Sequence, residues 1–253
     1  MDLGLEGKVA IVTGSARGIG KEIALALAKE KAKIIIPDFN YEGAKKLKEE
    51  ILNMGIEALA FNTDVTDAKA VNKMVEEVVD EYGSIDILVN NACAPIRRVS
   101  FLELDLEEWR QVLKVNLDGT FISSKAVSAV MKKKGKGKII NISSFAAYLP
   151  ASGFAAYSAS KAAIELLSKT MAGELGEFGI NVNFIRPGVI ETEITKEWHK
   201  GEVGERMIAP IALNRFGDPE EMGSLVAFLA SDKSDYISGV PIAIDGGKCV
   251  VQY

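Results

Sequence analysis

The chain has 253 residues, of which 48% are hydrophobic and 26% charged, and its formal net charge is −5. That is enough apolar material for a full core in one domain, while no apolar run approaches the ~18 to 20 residues of a membrane span and the acidic balance argues against a nucleic-acid partner. The opening Met1-Asp2-Leu3-Gly4 lacks the basic-then-apolar pattern of a leader, so a cytoplasmic protein with no membrane partner is expected.

Lys8 to Thr13 reads as a first apolar strand, and Thr13-Gly14-Ser15-Ala16-Arg17-Gly18-Ile19-Gly20 joins it to a helix over Arg17 to Lys31. Glycines at such a turn let a phosphate approach backbone N–H groups at the positive end of a helix dipole. The spacing is Gly-x3-Gly-x-Gly rather than Gly-x-Gly-x-x-Gly, and Glu22 after Gly20-Lys21 does not fit a kinase-type phosphate loop. Gly14, Ser15, Arg17, Gly18, Ile19 and Gly20 are read as a dinucleotide cradle. The second strand, Lys33 to Pro37, ends at Asp38, 24 residues after Gly14. A carboxylate there accepts hydrogen bonds from an adenosine ribose and repels a 2′-phosphate, which favours NAD(H) as cofactor. Arg17 pulls the other way, as a counter-charge for that phosphate, and leaves NADP(H) open.

The alternation continues with helix Tyr41 to Met54, strand Glu57 to Phe61, helix Asp67 to Tyr82, strand Ile85 to Val89, one long helix Leu106 to Lys133 and strand Lys138 to Ser143. The basic run Lys132 to Lys138 sits where that helix stops on glycine, and the helix dipole accounts for it without a polyanion. Tyr157 to Phe178 reads as a helix, Ile180 to Ile185 as a strand, Pro219 to Ala230 as a helix and Val240 to Ile244 as the last strand. Short apolar strands with helical crossovers imply an α/β fold, a doubly wound Rossmann-type architecture with a seven-stranded parallel sheet covered on both faces. A single domain over 1–253 is expected, and residues 190–213, too long for an ordinary connection, read as an insertion covering a site.

Tyr157 and Lys161 share a helix face, where an ammonium lowers a phenol's pKa and makes a proton-transfer device. Ser144 stands thirteen residues upstream of Tyr157, after the run Lys138-Ile139-Ile140-Asn141-Ile142. Other chemistries lack parts. The sole histidine, His199, is too few for a His-rich metal site or, without a Gly-x-Ser-x-Gly turn, for a Ser-His-Asp hydrolase, and Cys93 and Cys249 lack metal-ligand spacing, so no metal is expected and free thiols are.

These residues resemble the short-chain dehydrogenase/reductase family over nearly the whole chain. The likeness includes Asp64-Val65, Asn90-Asn91-Ala92, Val115-Asn116-Leu117-Asp118-Gly119, Ser144, Tyr157, Lys161 and Pro187-Gly188-Val189-Ile190-Glu191-Thr192, then Arg215 to Glu221 and Asp245-Gly246-Gly247. The resemblance implies hydride transfer between a nicotinamide and a secondary alcohol or ketone, with Tyr157 as general acid or base. It implies that Ser144 holds the substrate oxygen, that Lys161 holds ribose hydroxyls and that Asn116 holds a water linking Lys161 to solvent. It further implies that Asp64 and Val65 flank adenine, that Asn91 and Ala92 line the cofactor path, and that Pro187, Gly188, Ile190 and Thr192 meet the nicotinamide end, Thr192 at the carboxamide.

Two positions depart from the family pattern. Cys93 replaces the glycine of Asn-Asn-Ala-Gly and is expected to be a small buried hydrophobe. Phe178 precedes Gly179, where reductases of 3-oxoacyl groups on carrier protein often have a basic residue. A carrier-protein reductase using NADPH is therefore the second reading, and a non-catalytic nucleotide-sensing protein a third. Ala94 to Ser100, Phe145 to Phe154 and the insertion, with Trp198, are expected to line an apolar substrate cleft. The wide apolar stripes of Leu106 to Lys133 and Tyr157 to Phe178 predict a second packing surface and a homotetramer.

Overall fold

Strands whose side chains are apolar on both sides have to be covered on both sides, and the chain meets that demand with helices in two layers. The computed structural model describes residues 2–95, 97–149, 151–193, 195–196 and 201–249. Its seven strands are β1 (Val9–Val12), β2 (Lys33–Asp38), β3 (Ala58–Asn62), β4 (Ile87–Asn90), β5 (Gly137–Ile142), β6 (Ile180–Pro187) and β7 (Pro241–Ile244), all parallel, in the order β3-β2-β1-β4-β5-β6-β7. The order reverses between β1 and β4. That switch point opens a crevice at the carboxyl ends of the strands, where ligands of such sheets bind.

Helices α1 (Gly18–Lys29), α2 (Tyr41–Asn53) and α8 (Pro219–Ala230) cover one face through Ile23, Leu27, Leu47, Ile51 and Val226. Helices α3 (Ala68–Tyr82), α5 (Gly119–Lys134) and α6 (Ala155–Leu175) cover the other through Val71, Val78, Val127 and Met131, with Met171 and Leu175 at the margin. Local sequence sets several starts: Asn40 and Asp67 accept first-turn N–H groups of α2 and α3, and Asp218-Pro219 with Glu221 forms a complete capping box on α8.

Two expected elements differ. The long helix is divided into α4 (Leu106–Leu113) and α5 by a π-helical turn over Lys114–Asp118, which inserts an extra residue at Asn116. The insertion at 190–213 contains a short helix, α7 (Gly201–Ile208), and is anchored where Ile211 is buried and Leu213 donates its N–H to the Gly246 carbonyl at 3.0 Å. Among the described residues no helix is long and apolar enough to cross a membrane.

Candidate active site

The β1–α1 turn lies against the end of β4. Gly14 has φ 64°, and a Cβ on it would stand 2.7 Å from the Ala92 Cα. Both the backbone sign and the contact require glycine. Asn91, expected to line the cofactor path, also braces this turn: its amide donates to the carbonyls of Thr13 at 3.0 Å and Gly14 at 2.9 Å, and Thr13 Oγ1 accepts the N–H groups of Asn91 and Ala92. The Ser15 hydroxyl donates back to the Val12 carbonyl at 2.7 Å. Gly20 is buried under this turn, Gly18 has φ 60°, and Ile19 packs against the core.

At the start of α1, Arg17 is extended and exposed, and no side chain caps the helix. Its first N–H groups therefore suit a pyrophosphate, whose charge the helix dipole favours. Asp38, 6% exposed, holds its carboxylate beside the turn by accepting the N–H groups of Ala16 at 2.9 Å and Asn40 at 2.8 Å. Each oxygen retains a lone pair for a ribose hydroxyl. Asp64 is exposed and accepts the Thr66 N–H at 2.9 Å, while Val65 is buried against Gly119, where a Cβ would come within 2.7 Å of its methyl group.

Helix α6 carries Tyr157 and Lys161 one turn apart. The Ser144 hydroxyl accepts the Ala146 N–H at 3.1 Å and stands near enough to the Tyr157 phenol to lower its pKa. Lys161, 3% exposed, donates to the Ile142 carbonyl at 2.7 Å, and its Nζ lies 5.7 Å from the Tyr157 ring centre. The expected lowering of the phenol by Lys161 is not what this arrangement produces. Desolvation and, second, the Cys93 thiol push the Tyr157 pKa upward, Ser144 opposes them, and burial pushes the Lys161 ammonium down. In a buried pair at this separation, removal from water outweighs a cation already engaged by a carbonyl.

Asn116 is fully buried on the π turn. Its Oδ1 accepts the Ala94 N–H at 2.8 Å, its Nδ2 donates to Ser160 Oγ at 2.9 Å, and its carbonyl accepts from the Thr120 hydroxyl at 2.7 Å. The side chain thus brackets α6 against the loop after β4. Cys93 is exposed, which corrects the expected small buried hydrophobe: the residues on both sides are pinned by their N–H groups, Ala92 to Thr13 and Ala94 to Asn116, and the residue between them is left open to solvent.

At the far wall, Pro187 ends β6, Gly188 packs on Asp245, Ile190 is buried, and the Thr192 hydroxyl lies 3.1 Å from that of Thr195. A cleft beside Tyr157 is lined by Ala94, Val99 and Phe154, as expected, and by Leu104 and Val112 around α4, which were not. Phe145, Tyr148 and Leu149 do not line it; Trp198 and His199 lie outside the described residues. Sequence reading also missed Glu165 and Arg186, a part-buried ion pair behind α6. The only available signal was that Glu165 stands four residues after Lys161 on the same face.

A family model described as Enoyl-(Acyl carrier protein) reductase matches residues 14–248. The chain is 40% identical to the 3-oxoacyl-[acyl-carrier-protein] reductase FabG of Thermotoga maritima, covering 97% of this chain and 99% of that protein. It is 37% identical to a cyclohexanol dehydrogenase of Rhodococcus over 97% of both chains. Its fold is similar to that of an NAD+-bound xylitol dehydrogenase, with TM-score 0.92, 33% identity and coverage of 96% of this chain and 99% of that one.

The Ser144 hydroxyl lowers the phenol's pKa, so its removal has a defined sign. In Ser144→Ala the pH profile of alcohol oxidation should move to higher pH, since the phenolate that accepts the proton forms later, and kcat should fall by about tenfold or more. Rate measurements between pH 6 and 11, on a scale relative to the free phenol near ~10, check it.

Proposed function

This chain belongs to the short-chain dehydrogenase/reductase family of oxidoreductases acting on CH–OH or C=O groups, and from that premise we propose that it interconverts a small secondary alcohol and ketone with NAD(H) as the preferred cofactor. The observation that carries the reading is the convergence of Ser144, Tyr157 and buried Lys161 beside a cleft lined by Ala94, Val99, Leu104, Val112 and Phe154 together with the Arg97–Glu108 ion pair. The bound nicotinamide supplies or accepts the hydride. Tyr157 gives a proton to the substrate oxygen in reduction and removes it in oxidation, and Ser144 holds that oxygen as charge develops. Lys161, with one N–H on Ile142, turns its remaining donors to ribose hydroxyls. Asn116 keeps α6 and the loop after β4 in place, and a second lone pair on its carbonyl serves the water relay to Lys161. Thr192 meets the carboxamide, and the whole chain acts as one domain.

NAD(H) preference rests on the buried Asp38 carboxylate beside an uncapped helix start. A carrier-protein reductase using NADPH is the second reading, and one contact favours it: Lys132 Nζ lies 3.9 Å over the Phe178 ring, which returns a cation to the place where a basic residue would stand. Subunit assembly follows from α4, which has no buried residue in the single chain despite Leu106, Trp109, Val112 and Leu113, and from Phe121 and Leu166, 49% and 68% exposed. A homotetramer covers these surfaces.

Tyr157→Phe should reduce turnover at least ~10²-fold while NADH binding stays near normal, measured by steady-state rates and fluorescence titration. A binding-only nucleotide sensor would show no turnover to lose. Asp38→Ser should shift the NADH-to-NADPH ratio of kcat/KM toward NADPH by about tenfold to a hundredfold, since a charge-assisted hydrogen bond is worth roughly 1.5 to 3 kcal/mol. A wild type that already favours NADPH would promote the carrier-protein reading. Light scattering at micromolar concentration should give about four times 27.2 kDa; a monomer would refute the assembly.

A further inference from the structure

We propose that Glu165 and Arg186 are positioning residues for proton transfer, fixing the register of α6 on β5 so that the Tyr157 phenol meets Ser144. This rests on the reading of Tyr157 as the proton-transferring group. Glu165 follows Lys161 by one helical turn and Tyr157 by two, and it is 7% exposed. Its Oε1 accepts the Ser143 hydroxyl at 2.8 Å and Arg186 Nε at 2.7 Å, while Oε2 takes the second arm of the guanidinium. Ser143 also donates to the Lys161 carbonyl at 3.3 Å.

The consequence is geometric. Ser143 is covalently joined to Ser144, so the strand residue that holds the phenol is attached to the residue that holds Glu165. A carboxylate with two acceptor atoms fixes both the height of α6 along the strand and its rotation, because the planar fork of arginine accepts only one orientation. Apolar packing between Ile164 or Met171 and the sheet would tolerate a sliding of the helix; this bidentate bond does not. Arg186 also faces the Tyr148 ring at 5.2 Å, on the loop that follows Ser144. The same guanidinium therefore holds α6 on one side and the loop after Ser144 on the other.

The charged and titratable groups around the phenol are Ser144 from the end of β5, Lys161 from α6 and Cys93 from the loop after β4. Around the ion pair they are Tyr148 and Cys249. Among the described residues, Glu165 is the acidic partner given to Arg186, so neutralising it leaves the guanidinium unanswered.

The test is Glu165→Gln, which keeps the shape and an acceptor for Ser143 but loses one arm of the fork, with Arg186→Lys as a milder second variant. With the full-length enzyme, an NAD+ and secondary-alcohol assay should show kcat reduced about tenfold in E165Q and less in R186K. NADH affinity should fall by less than kcat does, because the glycine turn and Asp38 lie on other elements and, of the cofactor contacts proposed for this chain, Lys161 alone rides on α6 with Tyr157. The pH profile of oxidation should move upward in both, in the direction of Ser144→Ala, as Ser144 and the phenol move apart. A lowered melting temperature with kcat and pH profile unchanged in both variants would overturn the proposal and leave the pair a structural staple. If E165Q fails to fold, R186K decides alone by the same profile. Tyr157→Phe separates the two readings: retained turnover there removes the proton-transfer assignment and this proposal with it, whereas loss of turnover there with an unmoved profile in E165Q and R186K removes the positioning role only.

Discussion

The approach of Gly14 to Ala92, too close for any side chain, is the constraint on which the site depends. It occurs where the sheet changes direction, between β1 and β4, the one place where two adjacent strands send their chains to opposite faces. Because the two backbones touch there, the turn can be held by short bonds: Asn91 reaches two carbonyls of the turn, and Thr13 returns two bonds to the end of β4. A rigid turn fixes the start of α1, and with it the free N–H groups and their position relative to Asp38. The loop that leaves Ala92 then carries Ala94 to Asn116, so the cofactor side and the proton-transfer side share one anchor.

A second layer of order comes from polar side chains between β5 and α6. Where apolar side chains would suffice for burial against this helix, the chain has Asn141 in β5 and Ser143 just after it instead. Asn141 donates to Ser168 at 2.8 Å and Ser143 to Glu165 at 2.8 Å, while Lys161 reaches the intervening Ile142 carbonyl. Buried polar groups cost stability when unpaired and specify geometry when paired. Placing them along α6 trades an adaptable interface for one with a single register, which suits the proton transfer proposed for Tyr157.

Burial also sets the chemistry of the site. Tyr157 and Lys161 are both driven toward their neutral forms, the phenol upward and the ammonium downward, because water is excluded from each. Ser144 is the counterweight within the protein, lowering the phenol's pKa against the desolvation that raises it. Helix α4 adds a different kind of coupling. It forms part of the cleft wall through Val112 and Glu108, while Leu106 is exposed and Trp109 and Leu113 are only partly covered within the chain.

Much of this was legible in the sequence because it is local. Strand periodicity, the helix starts at Tyr41 and Pro219, the glycine turn and the Tyr157–Lys161 spacing depend on residues within a few positions of one another, and each fell close to where its pattern put it. What the sequence by itself determined is therefore the alternation of elements, the parallel seven-stranded sheet and the family whose ordered motifs the chain carries. The π turn at Asn116, the exposure of Cys93, the bracing role of Asn91, the rise of the Tyr157 pKa and the Glu165–Arg186 pair were decided by tertiary structure alone. The bonds of Glu165 to Arg186 and of Asn91 to Thr13 span 21 and 78 positions of the chain. Burial and partner choice are properties of the packed sheet, and no local pattern of residues encodes the distance between two strands or the water it excludes.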